Sequence, residues 1–408
     1  MGRKLHKKDS FSETIIPRKE PTALKRCWSR FKDKCVKAAA ILSIAVVSAF
    51  PVSGCGPYGE LDQIYPVGFE PCGDKVWNLS FVPEEPEHMA NLEGYTDITQ
   101  WLVIEEINSL KNMEGLESLL CVNMGFKALY NPHLETFIGL DNLMNVGGSV
   151  KIIGNDSIED FTGLGSLETI NSALWVKYNG SLIDFTGLES LSGIGQGLEV
   201  NHNDSLVSLK GLNNLTEIGG GVRIFSNPQV ENLDFLEKVS ALGGHTNISN
   251  NSSLVTILGM RNIEYIGGNL SICENPLLAS LDGLQSLEFV YGGLSIMDSG
   301  SMVDLSHLVN LAEIGGKMNI SSNTLLTNLQ GLESLEVIGE SLWISHNGSL
   351  ATVSALFGLT SLGGSLTIAE NPLLPTCEAE MLRDHLIANG WEGEAEIYGN
   401  NDDATCEE

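Results

Sequence analysis

Residues 266–287 read IGGNLSICENPLLASLDGLQSL. Ile266-Gly267-Gly268 has the composition of a tight turn, and Leu270-x-Ile272 alternates as a strand with one buried face does. Asn275 follows at a corner, and Leu278, Leu281, Leu284 and Leu287 supply further inward points. A coil this short cannot bury its apolar side alone, so it needs equivalents stacked above and below it. The chain supplies them. The Gly-Leu-x-x-Leu element recurs every 24 residues, beginning at Gly115, Gly139, Gly163, Gly187, Gly211, Phe235, Gly259, Gly283, His307, Gly331 and Ala355, without insertion or deletion. Sixteen residues into each unit stand Asn131, Asn155, Asn179, Asn203, Asn227, Asn251, Asn275, Ser299, Asn323, Asn347 and Asn371. An asparagine at an interior corner can satisfy backbone groups of the turn and bond the next asparagine, which serine does only in part. The Gly pairs, such as Gly219-Gly220 and Gly267-Gly268, fit turns of positive φ.

The repeat predicts a mainly β fold: a right-handed parallel β-helix, or leucine-rich-repeat-like solenoid, of about eleven 24-residue coils with a C-terminal α/β cap. At about 4.8 Å per coil the stack is roughly 50 Å long. A degenerate unit near Asn91 opens it, so residues 91–375 form the solenoid and residues 376–408 the cap. In the cap, Glu378 to Asn389 predicts an amphipathic helix with Met381, Leu382, Leu386 and Ile387 on one side, stopped by Asn389-Gly390. Cys377 and Cys406 bracket this segment and predict a disulfide, with metal binding as the alternative; Cys72 and Cys121 are the equivalent pair at the other end.

The unit Ile-Gly-Gly-x-Leu-x-Ile-x-x-Asn-x-x-Leu-x-x-Leu-x-Gly-Leu-x-x-Leu resembles the receptor L-domain. That is the leucine-rich-repeat-like β-helix of the ligand-binding halves of insulin- and EGF-type receptors, of fungal cell-wall proteins and of bacterial surface lipoproteins. The resemblance runs from about residue 100 to 375 and implies a binding role without naming a ligand. The Cys-rich module, spanning helix and kinase of the animal receptors have no counterpart here. The C-terminus, Thr405-Cys406-Glu407-Glu408, is not the apolar tail of a GPI signal.

The start of the chain has another character. Residues 1–54 hold 12 Lys/Arg against 4 Asp/Glu, a balance of +8; of the total of −29, residues 55–408 therefore carry −37. Val36 to Phe50, VKAAAILSIAVVSAF, is a short apolar run after basic sequence, the order of a secretory signal and too short for a spanning helix. Val52-Ser53-Gly54-Cys55 resembles the bacterial lipobox, which implies cleavage before Cys55, lipidation of that residue and membrane attachment through lipid alone. An ordinary cleaved signal followed by a chance Cys is the alternative. Gly56 after the Cys favours the outer membrane or cell surface by the same resemblance. Residues 55–90, with Pro57, Pro66, Pro71, Pro83 and Pro86, read as a tether and N-terminal cap.

The acid excess argues against nucleic acid as a partner. Neither HExxH, CxxC, GxSxG nor a P-loop occurs, and no cofactor or metal site is nominated. His202 and His346 sit at equivalent places and read as solvent-facing strand ends; Asn401, Asp402 and Asp403 read as a solvated tail before a calcium site. The strand alternation does single out one surface. Between the inward apolar residues the outward column reads Lys127, Lys151, Trp175, Glu199, Arg223, and the next reads Leu129, Ile153, Lys177, Asn201, Phe225. Four of the 11 basic residues after position 54 thus share a sheet face over five coils with two aromatics. The candidate ligand-binding residues are Lys127, Lys151, Trp175, Lys177, Arg223 and Phe225, for a glycan or protein partner. A carbohydrate-active β-helix enzyme and a ligand-free structural envelope protein are the alternatives.

Overall fold

A computed structural model describes residues 72–406. They form a mainly β solenoid of two parallel sheets, each of thirteen strands, with one α-helix near the C-terminus. Each coil gives a two-residue strand to a narrow sheet and a longer strand to a wide one, as in Tyr265–Ile266 and Leu270–Cys273. Pairing follows the sequence period: Ile194 lies opposite Ile218 in the narrow sheet and Leu198 opposite Val222 in the wide one. Because every inward leucine then meets its equivalents, Leu278, Leu281, Leu284 and Leu287 are fully buried. Where the column carries phenylalanine the rings stack: Phe161 lies 5.8 Å from Phe137 and 4.9 Å from Phe185.

The asparagines form a buried ladder. Asn155 Oδ1 accepts the main-chain N–H of Asn131 at 3.1 Å, and its Nδ2 donates to Ala128 O at 2.9 Å. The same two bonds recur coil after coil, for example at Asn227, whose Oδ1 accepts from Asn203 N–H and whose Nδ2 donates to Val200 O. At Ser299 the pattern breaks. Its hydroxyl turns to Met297 O at 3.4 Å, while its own N–H still reaches Asn323 Oδ1. The ladder also outlasts the repeat: Asn371 N–H bonds Asn400 Oδ1, and Asn400 Nδ2 reaches Ile368 O, although 29 residues separate the two asparagines.

The Gly pairs require a correction. None of them has positive φ; within the repeat that conformation is found at most glycines of Gly-Leu-x-x-Leu, such as Gly139 and Gly187, and at the residue before each ladder position. A Cβ on Gly243 or Gly267 would instead overlap the carbonyl of the coil before it. Close approach of stacked backbones, not chain reversal, excludes side chains there.

Both ends depart from expectation. The solenoid starts before residue 91: Val76–Trp77 pairs with Asp97–Ile98, Phe81 bridges to Leu102, and a 3₁₀ turn at Pro86–Leu92 buries Met89 and Leu92. A Cys72–Cys121 disulfide holds this first coil, and the buried Asp97 carboxylate accepts the N–H groups of Cys72 and Gly73 at 2.7 and 3.0 Å. At the other end the helix α1, Thr376–Ala388, packs against a last wide-sheet strand, Ala395–Tyr398, with the Cys377–Cys406 disulfide beside it. The buried side of α1 is Ala379, Leu382 and Leu386, whereas Met381 and Ile387 are exposed. A spacing of three and four residues keeps the first three on one helical stripe and puts the other two off it.

The ladder sets a stability expectation. Asn227→Ala leaves a buried N–H and a buried carbonyl short of partners and costs about 3 kcal/mol, whereas Ser299→Asn completes two bonds and adds about 1–2 kcal/mol. Urea denaturation of the two variants against the parent chain measures both signs.

Candidate functional site

The wide sheet positions the candidate residues by register alone. Val103, Lys127, Lys151, Trp175, Glu199 and Arg223 lie directly opposite one another on successive strands, from Trp101–Glu105 to Val222–Phe225. Lys177 and Phe225 fall in the neighbouring column with Asn201 between them. All six nominated residues are therefore on one face, and each is half-buried.

Their contacts are more internal than an exposed basic patch would have. Lys127 Nζ sits 4.1 Å from the Trp101 ring, and Trp175 is approached by Lys151 at 4.1 Å and Lys177 at 4.6 Å. Lys177 also bonds Glu199 at 2.9 Å, with Arg223 3.9 Å from the same carboxylate. Glu199 accepts in addition from Asn201 Nδ2 at 3.0 Å, and Asn201 Oδ1 meets His202 Nδ1 at 3.0 Å. Lys151 and Lys177 thus both contact Trp175, and Lys177 and Arg223 share one acid. At such half-exposed sites a cation–π contact is worth about 0.5–1 kcal/mol, weak enough for a ligand to displace. Beyond Phe225 the outward column changes to Asn247, Ser271, Ser295 and Asn319, small and uncharged, until Trp343.

Trp101 is outward by the same alternation, since Leu102 and Ile104 are the buried residues of its strand, but a second group of aromatics is not legible from it. Tyr130, Tyr178 and His202 occupy the left-handed position before the ladder asparagine, with φ of 54, 56 and 54°. His202 stacks on Tyr178 at 4.7 Å and meets Phe225 edge-on at 5.9 Å. The signal for this column is the 24-residue recurrence of the residue preceding each asparagine, which places these side chains at the edge of the wide sheet.

Other nominated residues resolve separately. His346 is exposed far along the stack from His202, consistent with two unrelated strand ends. Asp402 accepts from the Thr376 hydroxyl at 2.5 Å and Asn401 Oδ1 from Asp403 N–H at 3.2 Å, the contacts of a folded turn. Cys377 and Cys406 are spent in their disulfide, as are Cys72 and Cys121. Cys55 and residues 1–54, read above as an export signal, lie outside the described residues, among which no helix is long and apolar enough to cross a membrane. No protein-family model matches the chain, and neither does any curated protein.

Cys273, an outward position by alternation, is in fact buried and unpaired. Burial pushes its thiol up from 9.0 to about 11, with Asp298 and Glu274 acting in the same direction against a hydrogen bond involving the Met297 backbone. The folded state thus keeps its proton more tightly than the unfolded one, so the stability this provides is present below pH 9.0 and lost as pH rises to about 11. Cys273→Ala is expected to flatten that alkaline decline relative to the parent chain in thermal melts, and native Cys273 is expected to resist iodoacetamide at neutral pH.

Proposed function

We propose that the chain is a lipid-anchored binding protein of a bacterial cell envelope, related in design to receptor L-domain proteins, which engages its partner through the N-terminal half of the wide sheet. The carrying observation is compositional and spatial: Trp101, Lys127, Lys151, Trp175, Lys177 and Arg223 share one half of a face whose other half is largely Asn and Ser. Stacking costs the chain nothing in side-chain identity at outward positions, so the residues there are free to serve a ligand. The intramolecular cation–π contacts narrow the range of tryptophan ring positions before binding, which lowers the ordering cost at association. A chain with −37 over residues 55–408 has few cations to spend, and it spends four of them here.

The reading of residues 1–54 as a lipoprotein signal supports the location, because a tethered solenoid presents its sheet to the surroundings of the cell. An enzyme is the weaker reading, since the carboxylate in the centre of the face, Glu199, is occupied by Lys177 and Asn201.

The test is capture by the purified chain of material from intact cells or isolated envelopes. Replacing Lys151, Trp175, Lys177 and Arg223 together by alanine, with an unchanged circular dichroism spectrum, is expected to lower capture about tenfold or more, the equivalent of one or two lost anchors. Equal capture by parent and variant contradicts the proposal.

A further inference from the structure

The wide sheet ends on the strand Ala395–Tyr398, which pairs with Leu366–Ala369 and has no strand beyond it among the described residues. Leu366 N–H donates to Glu394 O and Glu370 N–H to Tyr398 O, both at 2.9 Å, so the carbonyls of Glu394 and Tyr398 point back at the preceding strand. Main-chain groups alternate in direction along a paired strand, so the N–H and carbonyl groups of Ala395 and Ile397 point to the open edge. Ala395 and Glu396 are exposed, Tyr398 is 52% exposed and Ile397 is half-buried. The opposite edge of the same sheet is closed. There Phe81 N–H donates to Trp101 O at 2.7 Å and Val103 N–H donates to Phe81 O at 2.9 Å, so the chain itself lies along its first strand.

We propose that the Ala395–Tyr398 edge takes an extended basic peptide, added to the wide sheet as a further strand with Lys or Arg at alternate positions and apolar residues between them. This site goes beyond the N-terminal face and shares no residue with it. Charge names the partner. Residues 384–408 hold eight Asp/Glu and no Lys or Arg, and two of the acids, Glu394 and Glu396, stand at alternate positions on one side of the edge, both exposed. A residue added opposite Glu396 forms a cross-strand pair with it, which favours a cation and repels a carboxylate. Tyr398 occupies the next place on that side, where the apolar stem of a lysine or arginine lies against its ring. On the other side Ile397 packs only partly against the core, and an apolar residue of the added strand covers the rest. The same glutamates oppose pairing with a second copy, which would bring its own acids to the edge. A guard of one sign excludes like-charged strands and admits oppositely charged ones. Main-chain bonds supply the attraction common to any added strand, and the side chains select among sequences.

Fluorescence anisotropy on the purified chain, with labelled decapeptides of alternating Lys and Val, alternating Lys and Pro, and alternating Glu and Val, tests the assignment. The Lys-Val peptide is expected to bind about tenfold or more tightly than the Lys-Pro peptide, which carries the same charge but lacks half the N–H groups and adopts three residues per turn. The Glu-Val peptide is expected not to bind. Ala395→Pro removes one outward N–H at an exposed edge position that tolerates proline, and it is expected to weaken Lys-Val binding about tenfold, as is Glu394→Lys combined with Glu396→Lys. Failure of the Lys-Val peptide to bind, equal binding of the Lys-Val and Lys-Pro peptides, or unchanged binding by a folded Ala395→Pro chain overturns the edge assignment; the comparison of peptides on the parent decides it if that variant does not fold. Unchanged binding by the double glutamate variant, or binding of the Glu-Val peptide, overturns the choice of a basic partner. Dimerisation of the parent in sedimentation, lost in Ala395→Pro, overturns the proposal in favour of a second copy. The four-residue face variant keeps this edge and is expected to bind the Lys-Val peptide as the parent does; loss of binding there moves the peptide to the face and overturns the edge assignment.

Discussion

Every coil of this solenoid must turn a corner inside its own core, and the asparagine ladder is what makes that corner tolerable. Each ladder asparagine is buried at 0% exposure, so the main-chain N–H and carbonyl groups it faces have no water to bond. The asparagine amide carries both a donor and an acceptor on a short side chain, so one residue type answers both needs. Each member accepts from the coil before it and donates back to that coil, which ties the geometry of one turn to the next. Once the corners align, the leucine columns, the phenylalanine stack and the strand register follow, because a displaced coil would lose all of them together. Ser299 marks the weakest joint in this arrangement, since a hydroxyl is too short to span to the neighbouring coil.

The same register makes a surface. Side chains pointing outward from parallel strands have equivalents directly opposite on each neighbouring coil, so a change of residue type along a column draws a patch without disturbing the core. The N-terminal coils use this freedom for tryptophans, cations and edge tyrosines, whereas the later coils keep mostly small polar residues. Closure is handled at the two ends by separate devices. Asp97 and the Cys72–Cys121 bridge fasten the first coil, and α1 with its own bridge covers the last. Trp391 helps at the second end, donating its indole N–H to Gly364 O at 2.9 Å.

Features governed by a single fixed period were readable from residue order. Strand alternation placed Lys127, Lys151, Trp175 and Lys177 on one face, and the ladder bonds were implied by asparagine at each corner. Features that depend on how two backbones or side chains meet were not. The Gly pairs looked like turn formers, because composition alone does not distinguish a need for positive φ from a lack of room beside a carbonyl. Asn400 escaped notice because the chain passes through α1 before reaching the ladder again. The pairing of Lys177 with Glu199, and of Lys151 with Trp175, depends on side-chain conformations that spacing does not fix. The tyrosine edge was missed because a left-handed residue breaks the alternation from which inward and outward positions are counted.

Native-state hydrogen exchange at the main-chain amides of the ladder asparagines is the most direct measurement of the central claim. The account predicts slow exchange with similar protection from Asn131 to Asn251, a local minimum at Asn275, whose N–H faces Ser299 where the other coils present an asparagine Oδ1, and recovery from Asn323 onward. Uniformly fast exchange at these amides, or protection at Asn275 equal to that at Asn227, would contradict the view that the ladder couples one coil to the next.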